Sequence, residues 1–417
     1  MRIAYIAPYQ GAAVVARRPI VRNHSLAAKV KIEVVAELLN RKGHGVEVIS
    51  QGEVIENSAT YYPGFSDPAL FHPQIPVEYA SAFPVRLLNG FWSSVTTLRR
   101  MLAAHAKSPF DLVIVYNLKL PQMLCALYAQ RLLRLPVILE YEDDAFVEVD
   151  GHAASDGFRA RCHTNASRYI VDSVDGCIGV SPHLLSQLPP ATPKMLLRGV
   201  VSDEILAAVS SGDVPRRNWV AFSGTLYRTK GLEQLITAWK TAQLGDWELH
   251  IAGTGELDAH LRRMAEGDRS IVFHGLLGRA ENARLLRAAR IGINPHDLSH
   301  TPGNVFAFKI VEYLAAGLHV LSTPMGPVEP ALEAGITYVA DNTPEMIAAA
   351  LRRMIDEQTY MRTATDAALA AYGPDGVANA LQRLINQVTR GVAEVAKNAT
   401  PNIVPEREAD RLVASAR

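Results

Sequence analysis

Short β-branched or aromatic runs alternate with longer amphipathic stretches along the chain. Arg2 to Ala7 reads as a strand, Ser25 to Lys42 carries apolar residues at helical spacing, and Gly45 to Ser50 reads as the next strand, which is a βαβ rhythm. It continues through Asp111 to Tyr116, a helix after Pro121, a strand over Pro136 to Tyr141, a helix through His163 to Val171, and strands over Gly176 to Val180 and Lys194 to Leu197. Strands that alternate with helices are most simply parallel and covered on both faces, so the first ~200 residues are expected to form a doubly wound domain.

The rhythm then restarts. Strand patterns at Asn218 to Phe222, Trp247 to Ala252, Ile271 to Phe273, Ile291 to Asn294 and His319 to Ser322 are separated by helical ones, and a last helix follows Pro344. A second sheet with its own core is expected, with Ser210 to Pro215 as the linker. The expected organisation is α/β, two doubly wound Rossmann-like domains facing each other across a cleft. The first covers 1–210 and the second 211–372; a helix over 373–397 packs back towards the N-terminal domain, and 398–417 is a mobile tail. Ile55 to Arg86 breaks the rhythm: it holds too much proline for an inner strand and too many aromatics for an exposed loop, so an Ω-like loop packed on itself is expected, with a substrate-facing lid as the alternative.

Composition narrows the function. The 417 residues are 48% apolar and 20% charged, as in packed globular chains and unlike disordered ones. Forty-two basic residues balance forty-two acidic ones, so no global field draws the chain to nucleic acid and any anionic partner is held locally. Cys125, Cys162 and Cys177 form no Cys-x-x-Cys pair, which fits a reducing cytosol rather than a disulfide framework or a zinc site. Pro8 and Gln10 end the first apolar run before a signal-peptide core forms, and Arg131 and Arg134 interrupt the longest apolar stretch, short of the ~18 residues of a membrane span.

Open α/β sheets bind ligands at strand C-termini. In the second half the first such rim, Ser223-Gly224-Thr225-Leu226-Tyr227-Arg228-Thr229-Lys230-Gly231, combines small residues, two cations and a helix start, which suits a phosphate; a solvated basic turn is the plain alternative. Gly253-Thr254-Gly255 and His274-Gly275-Leu276-Leu277 form further rims. The next runs from Pro295 through Asn304-Val305-Phe306-Ala307-Phe308-Lys309 to Glu312. Here Glu312 reads equally as a helix acid paired with Lys309, and Asn304 as an N-cap.

In order and spacing, residues from about Asn218 to Leu351 resemble the C-terminal domain of retaining glycosyltransferases of the GT-B fold, family 4. The resemblance implies a metal-independent enzyme without cofactor that moves a sugar from a nucleoside-diphosphate sugar to an acceptor hydroxyl of a carbohydrate or lipid-linked acceptor, in glycan synthesis. It places Lys230 on the donor diphosphate and Glu312 on the ribose. The backbone of Val305, Phe306 and Ala307 lines the diphosphate, Gly275, Leu276 and Leu277 the base, and Gly224, Gly253 and Lys309 complete the donor side. Two positions depart from the family pattern. Thr225 stands where an arginine is usual, with Arg228 as the substitute charge, and Asn304 stands where a glutamate touches the sugar.

On the N-terminal side the resemblance implies a cleft edged by Gly11 and Ala12 and by Glu142, Asp143 and Asp144. Clustered acids at a strand end orient an acceptor hydroxyl or steady an oxocarbenium ion. Arg17, Arg18, Arg22, His24, Lys29 and Lys31 form a basic run without an intervening acid; as a patch it fits peripheral contact with the anionic inner face of a membrane. A nucleotide-sugar epimerase and a degenerate binding scaffold are the rival readings.

Overall fold

The computed structural model describes residues 1–18, 26–52, 54, 59–67, 75–85, 88–146, 158–212, 214–300, 306–326 and 328–399. Arg22, His24, Asn304, Val305 and the expected tail from residue 400 onward lie outside them.

The N-terminal sheet holds β1 (Arg2–Ile6), β2 (Gly45–Ser50), β3 (Phe65–Asp67), β4 (Val77–Tyr79), β5 (Leu112–Tyr116), β6 (Val137–Tyr141), β7 (Gly176–Gly179) and β8 (Lys194–Leu196), in the order β3-β4-β2-β1-β5-β6-β7-β8. All of its pairs are parallel except β3 with β4. The C-terminal sheet is all parallel and holds β9 (Trp219–Ser223), β10 (Glu248–Ala252), β11 (Ile271–Gly275), β12 (Ile291–Asn294), β13 (His319–Ser322) and β14 (Ile336–Tyr338), in the order β11-β10-β9-β12-β13-β14. Strand order along each sheet reverses between β1 and β5 and between β9 and β12. Those two switch points are where open sheets leave a crevice.

The described part of the proline-rich segment holds two short strands instead of the expected Ω-like loop, and residues 55–58, 68–74 and 86 of it lie outside the described ones. β4 adds in parallel to β2 and β3 closes the edge antiparallel to it. No proline falls within either three-residue strand, so neither ladder loses a donor, and the Pro76 carbonyl, just before β4, accepts from Val48 N at 3.0 Å. The change of core also falls earlier than the linker composition suggests. Val201 and Ile205, the latter on the helix Asp203–Ser210, are buried with Ala221, Leu286, Tyr313 and Leu314 of the C-terminal domain. Burial decides membership, and that helix belongs to the second core. Helix Thr365–Tyr372 closes the same core, whereas Val377, Leu381, Leu384, Ile385 and Val388 of the helix Pro374–Ala399 are buried with Tyr5, Ile138 and Ile178.

Candidate functional site

A cleft of about 1100 Å³ lies where the two switch points face each other, lined by Pro8, Gln10, Tyr116, Asn117, Glu142 and Asp143 from one domain and by Gly224, Thr225, Phe308 and Glu312 from the other. The donor side is built on two neighbouring loops. After β9 the chain turns through Arg228–Lys230 into the helix Leu232–Ala242, with Gly231 at φ +67. Lys230 Nζ then reaches His296 Nε2 at 2.8 Å on the loop after β12. His296 Nδ1 donates to Asn294 Oδ1 at 3.0 Å, and Asn294 Nδ2 donates to Ser322 Oγ at 3.0 Å. Burial first, and then Lys230 and Lys309, hold the His296 pKa down to about 3, so its Nε2 accepts from the ammonium. Burial also lowers the pKa of Lys230.

The helix Lys309–Ala315 presents the other half of the donor wall. Lys309 Nζ makes no hydrogen bond to any described residue. It lies 3.9 Å from the centroid of the Phe222 ring, and a β-carbon placed on Gly224 would be 2.8 Å from it. Burial, and then the Lys230 charge, bring its pKa down to about 7. Burial brings the Glu312 carboxyl up to about 7, with Lys309 opposing the rise. The two groups feel each other's charge, yet Lys309 is not tied into the simple helix-surface pair that their spacing allows.

Other expected donor residues are placed differently. Arg228 is exposed on the turn that leads to Lys230. Gly253 backs onto Gly224 and donates its N–H to the Gly275 carbonyl at 2.7 Å. Leu276 is 79% exposed, and Leu277 lines a separate cavity beside Trp219 and His274. Phe306 packs under Arg198, whose guanidinium is 4.3 Å from its ring centroid, and Ala307 is buried.

On the acceptor side the acids part company. Asn117, at φ +59, a conformation asparagine tolerates, accepts from the N–H groups of Glu142 and Asp143 at 2.8 and 3.1 Å and donates to Asp143 Oδ2 at 2.7 Å. Glu142 pairs with Lys31, whose ammonium also donates to the Leu197 carbonyl at 3.0 Å. Burial raises the Glu142 pKa against the pull of Lys31. Behind it, Glu140 is fully buried, takes the Tyr5 hydroxyl proton as a hydrogen bond, and is pushed up to about 7 by burial. Asp144 leaves the cleft: it is held by His183 at 2.8 Å and Gln187 at 2.7 Å. Gly11 and Ala12 stand one step behind Pro8 and Gln10, Gly11 N–H donating to the Tyr79 hydroxyl at 3.1 Å. Among the described residues no three His, Cys, Asp or Glu side chains come together as a metal cluster.

The described residues of the basic run do not all face solvent. Arg18 is 1% exposed and donates to the carbonyls of Gly52, Pro63 and Ala80, Lys31 sits in the cleft, and Lys29 pairs with Glu33 at 3.0 Å, whereas Arg17 is exposed over the Phe65 ring. Arg22 and His24 lie outside the described residues. Among the described residues no helix is long and apolar enough to cross a membrane.

The family model described as "Glycosyl transferases group 1" matches residues 217–357, and that described as "Glycosyl transferase 4-like domain" matches residues 28–190. The chain is a GT-B glycosyltransferase of the group 1, family 4-like class. Solved structures carry the same fold at low identity. Sucrose-phosphate synthase from Thermosynechococcus elongatus is 18% identical to this glycosyltransferase, with 94% of this chain and 100% of that chain covered and a TM-score of 0.60. The lipopolysaccharide outer core galactosyltransferase WaaB is 13% identical over 93% and 99% at 0.56. Anabaena HepE, in complex with UDP and glucose, is 16% identical over 95% and 100% at 0.53. No curated protein matches the sequence.

Sequence reasoning named Lys230, Lys309 and Glu312 but missed His296, Asn117 and Lys31 as parts of the site. His296 and Asn117 each follow a strand end, a position that could have flagged them. Lys31 lies mid-helix, and only its pairing with Glu142, 111 residues away in sequence, reveals its role.

Proposed function

We propose that this glycosyltransferase moves a sugar from a nucleoside-diphosphate sugar to an acceptor hydroxyl with retention of configuration. The observation that carries the reading is the buried Lys309 ammonium, which has no hydrogen-bond partner among the described residues and is set against Gly224, a residue of the interdomain cleft lining. A buried donor without an acceptor is costly, and a diphosphate supplies the acceptor. Lys309 then supplies the charge missing at Thr225, coming from the facing helix instead of the first loop.

The chemistry follows from where charge develops. As the bond from the anomeric carbon to the diphosphate oxygen breaks, the electron pair leaves with the diphosphate, and Lys230 and Lys309 stabilise it in a site closed to water. Glu312 accepts from the ribose hydroxyls. Glu142 and Asp143, fixed by Lys31 and Asn117, orient the acceptor oxygen and steady the oxocarbenium ion. The sugar contact expected of Asn304 belongs to this proposal without a described geometry. A panel of nucleoside-diphosphate sugars screened by thermal shift, followed by mass spectrometry of products with and without saccharide acceptors, tests it. Acceptor-dependent transfer supports the reading, whereas an epimerised donor without acceptor, or binding with no turnover, overturns it.

A further inference from the structure

The cleft occupies the C-terminal ends of the strands; the opposite end of the second sheet holds a different site. Arg216 precedes β9, Arg290 precedes β12, and Arg287 lies in the last turn of the helix Arg279–Ala288. Together with Gly317, Thr363 and Thr365 they line a cavity of about 300 Å³. Arg216 has a structural task. Its guanidinium donates to the Leu286 carbonyl at 3.4 Å, to that of Ala289, and to that of Ala316 at 2.7 Å. It thus joins the negative ends of two helices, and a side chain on Gly317 would overlap it.

Arg287 and Arg290 have no such account. The Nε of each is buried and has no acceptor among the described residues. The Arg290 side chain lies 3.9 Å from the Met361 sulfur and over the face of Tyr360, 5.4 Å from the ring centroid. Among the described residues no carboxylate pairs with Arg216, whose pKa is brought down to about 10 by burial first and then by Arg287 and Arg290. Three like charges around one small cavity repel one another, and guanidinium forks match phosphate oxygens in pairs.

We infer that this cavity is a binding site for a phosphate monoester, gripped by Arg287 and Arg290 with Arg216 as the fixed charge and Thr363 and Thr365 as hydroxyl partners. It lies apart from the donor site and does not depend on the proposed transfer reaction. The test uses the full chain carrying Lys230→Ala, which weakens phosphate binding in the cleft. Inorganic phosphate should raise its thermal midpoint over chloride at equal ionic strength, and calorimetry should find inorganic phosphate and glucose 6-phosphate bound. Adding Arg287→Gln and Arg290→Gln should weaken both on the order of tenfold. Vesicles of phosphatidylcholine and phosphatidic acid in equal parts distinguish the sources. Sedimentation that the double substitution abolishes assigns a lipid headgroup, and glucose 6-phosphate binding without sedimentation assigns a soluble ligand. A midpoint insensitive to phosphate overturns the site without recourse to the double variant, as does binding that the double substitution leaves unchanged.

Discussion

Lys309 is the side chain on which the donor site turns, because it is an ammonium near neutrality of charge. With its pKa down to about 7, most of it is unprotonated in the free protein at about pH 8, whereas a bound diphosphate favours the charged form. Binding must then take a proton from solvent, and affinity must fall as pH rises through the free-state pKa. Calorimetry of UDP or ADP binding in buffers of different ionisation enthalpy should show proton uptake that Lys309→Met removes. Glu312 is also brought to about 7, and a ribose contact favouring its carboxylate would release a proton in the same window, so Glu312→Gln is the control that separates the two signs. Lys230→Ala should cost about 3 kcal/mol of transition-state stabilisation, roughly a hundredfold in turnover; single-turnover rates with the best donor of the panel check this. Glu312→Gln should weaken the nucleoside diphosphate by about 1.5–3 kcal/mol even with no sugar attached. Unchanged affinity by calorimetry would leave Glu312 as a buried helix acid without a ribose partner.

At the scale of elements, the loops after β9 and β12 meet backbone to backbone. Gly231, at φ +67, joins the Lys230 turn to the helix Leu232–Ala242, and a methyl group there would overlap the Pro295 carbonyl. Gly231→Ala combines that overlap with a left-handed backbone, so it should lower stability by roughly 1–3 kcal/mol and draw Lys230 away from His296. A lower thermal midpoint together with weaker nucleoside-diphosphate binding is the expected outcome; unchanged binding would show that the turn does not set Lys230. The long elements were legible because helices such as Leu26–Arg41 and Leu232–Ala242 repeat their apolar positions over several turns. β3, β4 and β14 have three residues each. That is too short for a period to register.

Across the whole molecule, the chain passes between domains twice, and the passages are tied together. Val201 N–H donates to the Tyr372 carbonyl at 2.8 Å, and the Tyr372 hydroxyl donates to Glu329 at 2.6 Å, which also receives Arg198 at 3.4 Å. Beyond this strap the helix Pro374–Ala399 returns to the first core, where Leu384 is 2% exposed. Leu384→Ala should cost about 2–5 kcal/mol, read as a lower urea midpoint for loss of N-terminal structure; a change within about 0.5 kcal/mol, the range of surface substitutions, would mean that the helix only rests on that domain. The two doubly wound sheets, the glycosyltransferase family, the turn that carries Lys230 and the helix that carries Lys309 and Glu312 are legible in the linear pattern of residues. Hydrophobic period and glycine-marked strand ends are local, so they survive in one dimension. Charge pairing is not local. Only the tertiary structure decided that Arg18 is buried against three carbonyls, that Asp144 turns away to His183, that Lys31 joins Glu142, and that Lys309 is buried without a hydrogen-bond partner among the described residues. The partner of a charged side chain depends on which distant backbone burial brings within reach, and no spacing along the chain encodes that.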